Sequence, residues 1–120
     1  MTHRNLEVYN MTLDFVVNIY HTSEELPDSE RFGLTSQMRR SALSIASNIA
    51  EGAARKTTKE FIAALYHALG SAAELETQIE ISYRLGLLSE KDQISSQLTS
   101  IINMLNALIT SLKKKLTPKT

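Results

Sequence analysis

Residues 57–86, TTKEFIAALYHALGSAAELETQIEISYRLG, decide the fold. Phe61, Leu65, Ala68, Ala72, Leu75, Ile79 and Tyr83 recur at steps of four and three, with a second four at the end, which lays one apolar stripe along an α-helix. Thr57 and Glu60 have the spacing of a capping box, in which hydroxyl and carboxylate each satisfy a backbone N–H that the first helical turn leaves without a partner. Gly86 marks the end. At 1.5 Å per residue the helix is about 40–45 Å long.

The same reading works outward in both directions. Downstream, Ile94, Leu98, Ile101, Leu105, Leu108 and Leu112 keep an a/d rhythm over residues 89–116, with Ser89 as N-cap and Glu90 and Asp92 in the first turn. Lys113, Lys114 and Lys115 close this helix before Pro118. Upstream, Leu34, Met38, Ala42, Ile45 and Ile49 stripe a helix within 29–53, with Gly52 placed as a C-terminal cap. Its start falls at Ser29 or Leu34, because Gly33 interrupts it and Pro27 to Phe32 reads equally as a separate turn. Val8, Met11, Phe15, Val16 and Ile19 mark a shorter helix over 6–22, stopped near Ser23 by the approach of Pro27. Short connections between four amphipathic helices predict an all-α, antiparallel up-down four-helix bundle, one domain over 1–120.

Composition excludes several function classes. A length of 120 residues suits a single core, and 13 basic against 13 acidic residues cancel, so the chain as a whole does not attract polyanions or membranes. Cysteine is absent, which removes disulfides and thiolate chemistry. No apolar run approaches a membrane span and the N-terminus does not read as a signal peptide, so a cytoplasmic protein that avoids membranes is expected.

Charge is nevertheless blocked along the chain. Residues 1–30 carry net −5, 31–59 net +5, 60–92 net −4 and 93–120 net +4. The second block contains Arg39, Arg40, Arg55, Lys56 and Lys59, a candidate phosphate-binding region. A solvated surface paired with the acidic blocks explains the same residues. Lys113 to Lys115 read as partners of the helix C-terminus.

Two further patterns concern partners. On the fourth helix apolar residues span about 160°, from Met104 to Ile102, wider than the stripe one core requires. Ile62, Tyr66, Leu69 and Ala73 form a second stripe on the third helix. These faces meet either two neighbours inside one bundle or another subunit, and the short first helix favours the subunit. On the second helix Gln37, Ser41, Ser44, Asn48, Glu51 and Arg55 step by four, three, four, three and four beside the apolar face. That row reads as a hydrogen-bonded seam between helices, or as a ligand groove.

Chemistry finds no support in the motifs. Glu-x-x-His, the di-iron signature of helical bundles, does not occur, and His67 stands alone within a long helix. No phosphate loop, nucleophile elbow or zinc pattern is present. The expectation is a non-enzyme with no cofactor and no metal.

Gly33-Leu34-Thr35-Ser36-Gln37-Met38-Arg39-Arg40-Ser41-Ala42, Ser44-Ile45, Ser47-Asn48-Ile49-Ala50-Glu51-Gly52 and Arg55-Lys56 together resemble the signature of the proteins encoded by intervening sequences in bacterial 23S rRNA genes. Gly70 to Gln78, Leu6-Glu7-Val8-Tyr9 and Tyr20 extend the resemblance to about residues 6–112. Ala46 stands where that family often has proline, and Ala53 where a bulkier residue is common. The resemblance implies an antiparallel four-helix fold and a ring-like homopentamer. It also implies kinship with the accessory proteins of diversity-generating retroelements, which bind nucleic acid and a reverse transcriptase and are more basic than this chain. Arg39, Arg40 and Arg55 match the family's basic positions, and the family offers no catalytic residues to transfer. The leading expectation is an oligomeric bundle that contacts RNA or DNA through its basic region. The alternative is a protein-interaction or scaffold module with no nucleic-acid role.

Overall fold

The computed structural model describes residues 2–116. A 3-10 turn at His3–Asn5 leads into α1 (Glu7–Ser23), and a second one at Asp28–Glu30 precedes α2 (Leu34–Ala53). α3 (Thr58–Arg84) and α4 (Asp92–Leu116) complete an all-α fold. Pro118 lies outside the described residues.

Cross-helix pairs fix the directions. Between α2 and α3, Ser71 donates to Ser44 Oγ at 2.8 Å and Ser82 Oγ lies 3.7 Å from Met38 Sδ, so one index falls as the other rises. Between α3 and α4, Lys91 meets Glu80 at 3.0 Å while Lys113 sits 5.2 Å over the Tyr66 ring. Between α1 and α4, Asn18 donates to Gln97 at 3.2 Å and the Ser89 N–H donates to Glu25 at 3.3 Å. Each pair is antiparallel, and each helix packs on its two chain neighbours in the cyclic order α1, α2, α3, α4. The bundle is therefore up-down-up-down, in a rod of 56 × 21 × 20 Å.

One core runs through it. Phe15, Ile19, Met38, Ile45, Ile49, Leu65, Leu75, Leu98, Ile101 and Leu105 are sealed from solvent. Three details depart from the sequence reading. Tyr83 leaves the stripe for the surface, and Ser82 takes the buried place against Met38. Late in α4 the buried position moves from Leu108 to Ile109, because a straight helix drifts against a strict seven-residue repeat. Gly52 is an interior residue of α2 instead of its cap: a Cβ there would meet Ala64 Cβ at 2.7 Å and Phe61 Cδ1 at 2.9 Å, so the missing side chain lets α2 and α3 approach.

The boundaries shift for physical reasons too. α2 starts at Leu34, not Ser29, with Glu30 accepting from the Leu34 N–H at 3.2 Å. Thr57 caps α3 as expected, accepting from the Glu60 N–H at 3.1 Å. α3 closes in a Schellman motif, with Leu87 N–H on Ser82 O, Gly86 N–H on Tyr83 O, and Gly86 at φ 76°. α4 starts at Asp92, so Ser89 is not its N-cap. The intervening chain instead crosses the end of the bundle and inserts Leu88 into the core.

Candidate nucleic-acid interface

The fold converts charge blocks along the chain into polarity along the rod. Up-down connectivity brings the start of α1, the α2–α3 connection and the end of α4 to one end. In residues 2–11, 50–66 and 106–116, that end holds Arg4, Arg55, Lys56, Lys59 and Lys113 to Lys115 against Glu7, Glu51 and Glu60, net +4. The opposite end, residues 20–40 and 76–98, holds eight acidic and five basic residues, net −3.

The five basic candidates therefore separate. Arg55, Lys56 and Lys59 lie together on the connection between α2 and α3 and the first turn beyond it, all exposed. The Glu51 carboxylate hydrogen-bonds Arg55 one helical turn away and raises its pKa, so the guanidinium stays charged. Arg40 is exposed but about 20 Å up α2, at 1.5 Å per residue.

Arg39 is committed elsewhere. Its Nε donates to Ser23 Oγ at 2.8 Å, its terminal nitrogen donates to Tyr20 O at 3.2 Å, and its guanidinium lies 4.7 Å over the Tyr20 ring. It ties the last turn of α1 to α2, and two of its five N–H donors are held by the end of α1. Two signals missed by reading basic residues block by block are Lys113 to Lys115 and Arg4. They join Lys56 and Lys59 only once the chain is folded back three times, and the alternation of charge blocks at roughly hairpin length was the trace of this.

The polar row divides as well. Its centre is a seam: Ser44 Oγ accepts from Ser71 at 2.8 Å and from Asn48 Nδ2 at 3.1 Å, and Asn48 also donates to Ser44 O at 2.8 Å. Ser41 is buried beside it, whereas Gln37 and Glu51 are exposed. Toward the basic end the seam opens into a shallow cavity of about 250 Å³, lined by Asn48, Glu51, Arg55, Glu60 and His67.

Of the residues assigned to a subunit contact, Ile62 belongs to the chain's own core. Tyr66 and Ala73 are exposed, and Leu69 and Ile102 are half-buried where α3 meets α4. At 100° per residue, half-buried Met104 lies on the α1-facing flank of α4, with Gln97, and apart from the rest. An apolar row that the sequence reading passed over runs along α1 and α2: Leu13, Val17 (54% exposed), Tyr20, Leu43 (45%) and Phe32 (88%). Among the described residues no group of acidic and histidine side chains is placed to hold a metal ion, and no helix is long and apolar enough to cross a membrane.

The comparisons agree with this architecture. A crystal structure of a protein of unknown function from the S23 ribosomal protein family of Bacteroides thetaiotaomicron superposes with a TM-score of 0.78 at 28% identity, covering 85% of this chain and 97% of that one. No curated protein is significantly similar to the chain. The model of the 23S rRNA-intervening sequence proteins matches residues 4–107, and on that span the chain belongs to the 23S rRNA-intervening sequence protein family.

Proposed function

We propose that the protein is a non-enzymatic, self-associating bundle that binds nucleic-acid phosphates through its basic end. The observation that carries this reading is the gathering of seven cationic side chains from three separate chain segments at one end of a neutral molecule. Such a concentration of charge works through counterion release, which is insensitive to net charge at the far end once the distance exceeds a Debye length of about 8 Å. Lys56, Lys59, Lys114 and Lys115, with Arg55, are the contacts; Arg39 serves the fold, and Arg40 lies away from this end. RNA is the first probe, because the family is named for sequences within 23S rRNA genes and the structural neighbour for a ribosomal protein family. Self-association, a homopentamer by family analogy, would multiply a patch that is weak in one copy.

Filter binding of a structured rRNA fragment tests it. With about five phosphate contacts, affinity should fall about a hundredfold to five-hundredfold between about 50 and 200 mM salt, and Lys56→Glu with Lys59→Glu should abolish retention. No retention of RNA or DNA at low salt would sink the reading. The second reading, a protein-interaction module, draws on exposed Phe32 and Leu43. A specific partner retained through nuclease treatment and high salt would favour it.

A further inference from the structure

One groove of the rod is lined by three cations and by no carboxylate. It lies between the last turn of α1 and the first turns of α2, holds about 460 Å³, and is walled by Tyr20, Arg31, Phe32, Arg39 and Arg40 with the start of α2. That volume falls within the range of small-ligand pockets, about 300–1,000 Å³. The groove belongs to the end of the molecule whose net charge is −3, away from the basic end. Its positive charge is therefore local and is not the margin of the interface described above.

Half of the groove suits a compact anion. Arg31 and Arg40 are exposed, and among the described residues neither guanidinium has an ion-pair partner. Arg39 spends two of its donors on the end of α1 and keeps three. Helical side chains lean toward the N-terminus, so Arg39 and Arg40 reach back over Thr35 and Ser36, one turn earlier. That turn adds donors. Gly33 at the N-cap has no side chain to offer, and Glu30 takes only the Leu34 N–H, so the Thr35 and Ser36 N–H groups stay uncapped beside two hydroxyls. Three guanidiniums at a helix N-terminus repel one another until an anion sits among them.

The other half is flat and apolar. Phe32 is 88% exposed. The Arg31 guanidinium lies 5.5 Å from its ring centroid, and the exposure leaves the opposite ring face open. Leu43, half of it exposed, continues the apolar wall. A phosphate matches the converging guanidinium forks and N–H groups, and a planar ring matches the open face of Phe32. A run of carboxylates would use the cations and leave that face bare.

We infer that this groove binds a nucleotide, with its 5′-phosphate against Arg31, Arg40 and the first turn of α2 and its base stacked on Phe32. A free nucleotide and the 5′-phosphorylated end of an RNA strand offer the same chemistry. The site is separate from the basic end and stands or falls without it.

Calorimetric titration of the full chain tests it, with AMP as the probe. AMP should bind, and adenosine and ribose 5-phosphate, each half of the ligand, should bind at least about tenfold more weakly. Arg40→Glu should weaken AMP and ribose 5-phosphate alike by about tenfold or more and leave adenosine unmoved. Phe32→Ala should bring AMP down to the level of ribose 5-phosphate and leave ribose 5-phosphate unchanged, the coupling that a stack requires. Both side chains are exposed, so the variants should keep the helical circular dichroism of the wild type. Lys56→Glu with Lys59→Glu, which disables the basic end, should leave AMP binding intact, so failure of one site is distinguishable from failure of the other. Displacement of AMP by a 5′-phosphorylated oligonucleotide and not by its 5′-hydroxyl counterpart would identify RNA ends as a source of the ligand; displacement by neither would identify free nucleotides. Either result supports the site. No binding of AMP, AMP binding indifferent to Phe32→Ala, or equal displacement by the two oligonucleotides would overturn the inference. A tetraglutamate peptide that binds more tightly than AMP would also overturn it, in favour of the protein-interaction reading.

Discussion

Single residues in this bundle separate roles that their type does not. Arg39 and Arg40 are neighbours in sequence and point apart, as adjacent positions on a helix must. Arg39 satisfies a buried hydroxyl, Ser23, and the Tyr20 carbonyl at the end of α1. Arg39→Ala should therefore cost about 1–2 kcal/mol in urea unfolding while leaving the RNA affinity of the folded protein unchanged. The glycines make a sharper pair. At Gly70, exposed within α3, an added Cβ meets nothing within 4 Å, so Gly70→Ala should stabilise by about 0.5–1 kcal/mol through helix propensity. At Gly52 the same change gains the same propensity but drives a Cβ into Ala64 and Phe61. The Phe61 ring can turn aside; the Ala64 Cβ moves only with its backbone. Overpacking of this kind costs about 1–3 kcal/mol, so Gly52→Ala should lower the melting temperature where Gly70→Ala raises it.

At the level of the helix, local rules carried the sequence reading wherever the signal was local. The Thr57 cap of α3, the Gly86 turn and the a/d rhythm of α4 as far as Leu105 are all short-range, and the structure reproduces them. The start of α4 was not legible, because Ser89 followed by Glu90 and Asp92 is a sound cap signal, and only the need of Leu88 for the core overrides it. Tyr83 was misplaced for a similar reason: steps of four and three suit Tyr83 and Ser82 almost equally, and the space beside Met38 chooses the smaller side chain. The α3–α4 junction is clasped by Glu80, which accepts from Lys91 at 3.0 Å and from Arg84 at 2.9 Å. Those two cations, Lys91 first, hold the Glu80 carboxyl below the ordinary carboxylate range. A carboxyl with a depressed folded-state pKa stabilises above its unfolded value and loses that contribution as pH falls through the folded one. Glu80→Gln should lower the melting temperature slightly at neutral pH, with the deficit closing under acid conditions and in high salt, since Arg84 is exposed and Glu80 and Lys91 are only half-buried. A deficit that is constant across pH would place the effect in packing instead.

For the molecule as a whole, the sequence disclosed that charge was blocked but not where the blocks would meet. Lys56 and Lys115 reach the same end only through topology, and Arg40 is parted from Lys56 by the length of a helix that sequence distance makes look short. The exposed apolar surface was half legible: the second stripe of α3 led to Tyr66, Leu69 and Ala73, whereas Leu13, Val17 and Leu43 sit among polar neighbours in α1 and α2 and register as a row only when those helices lie side by side.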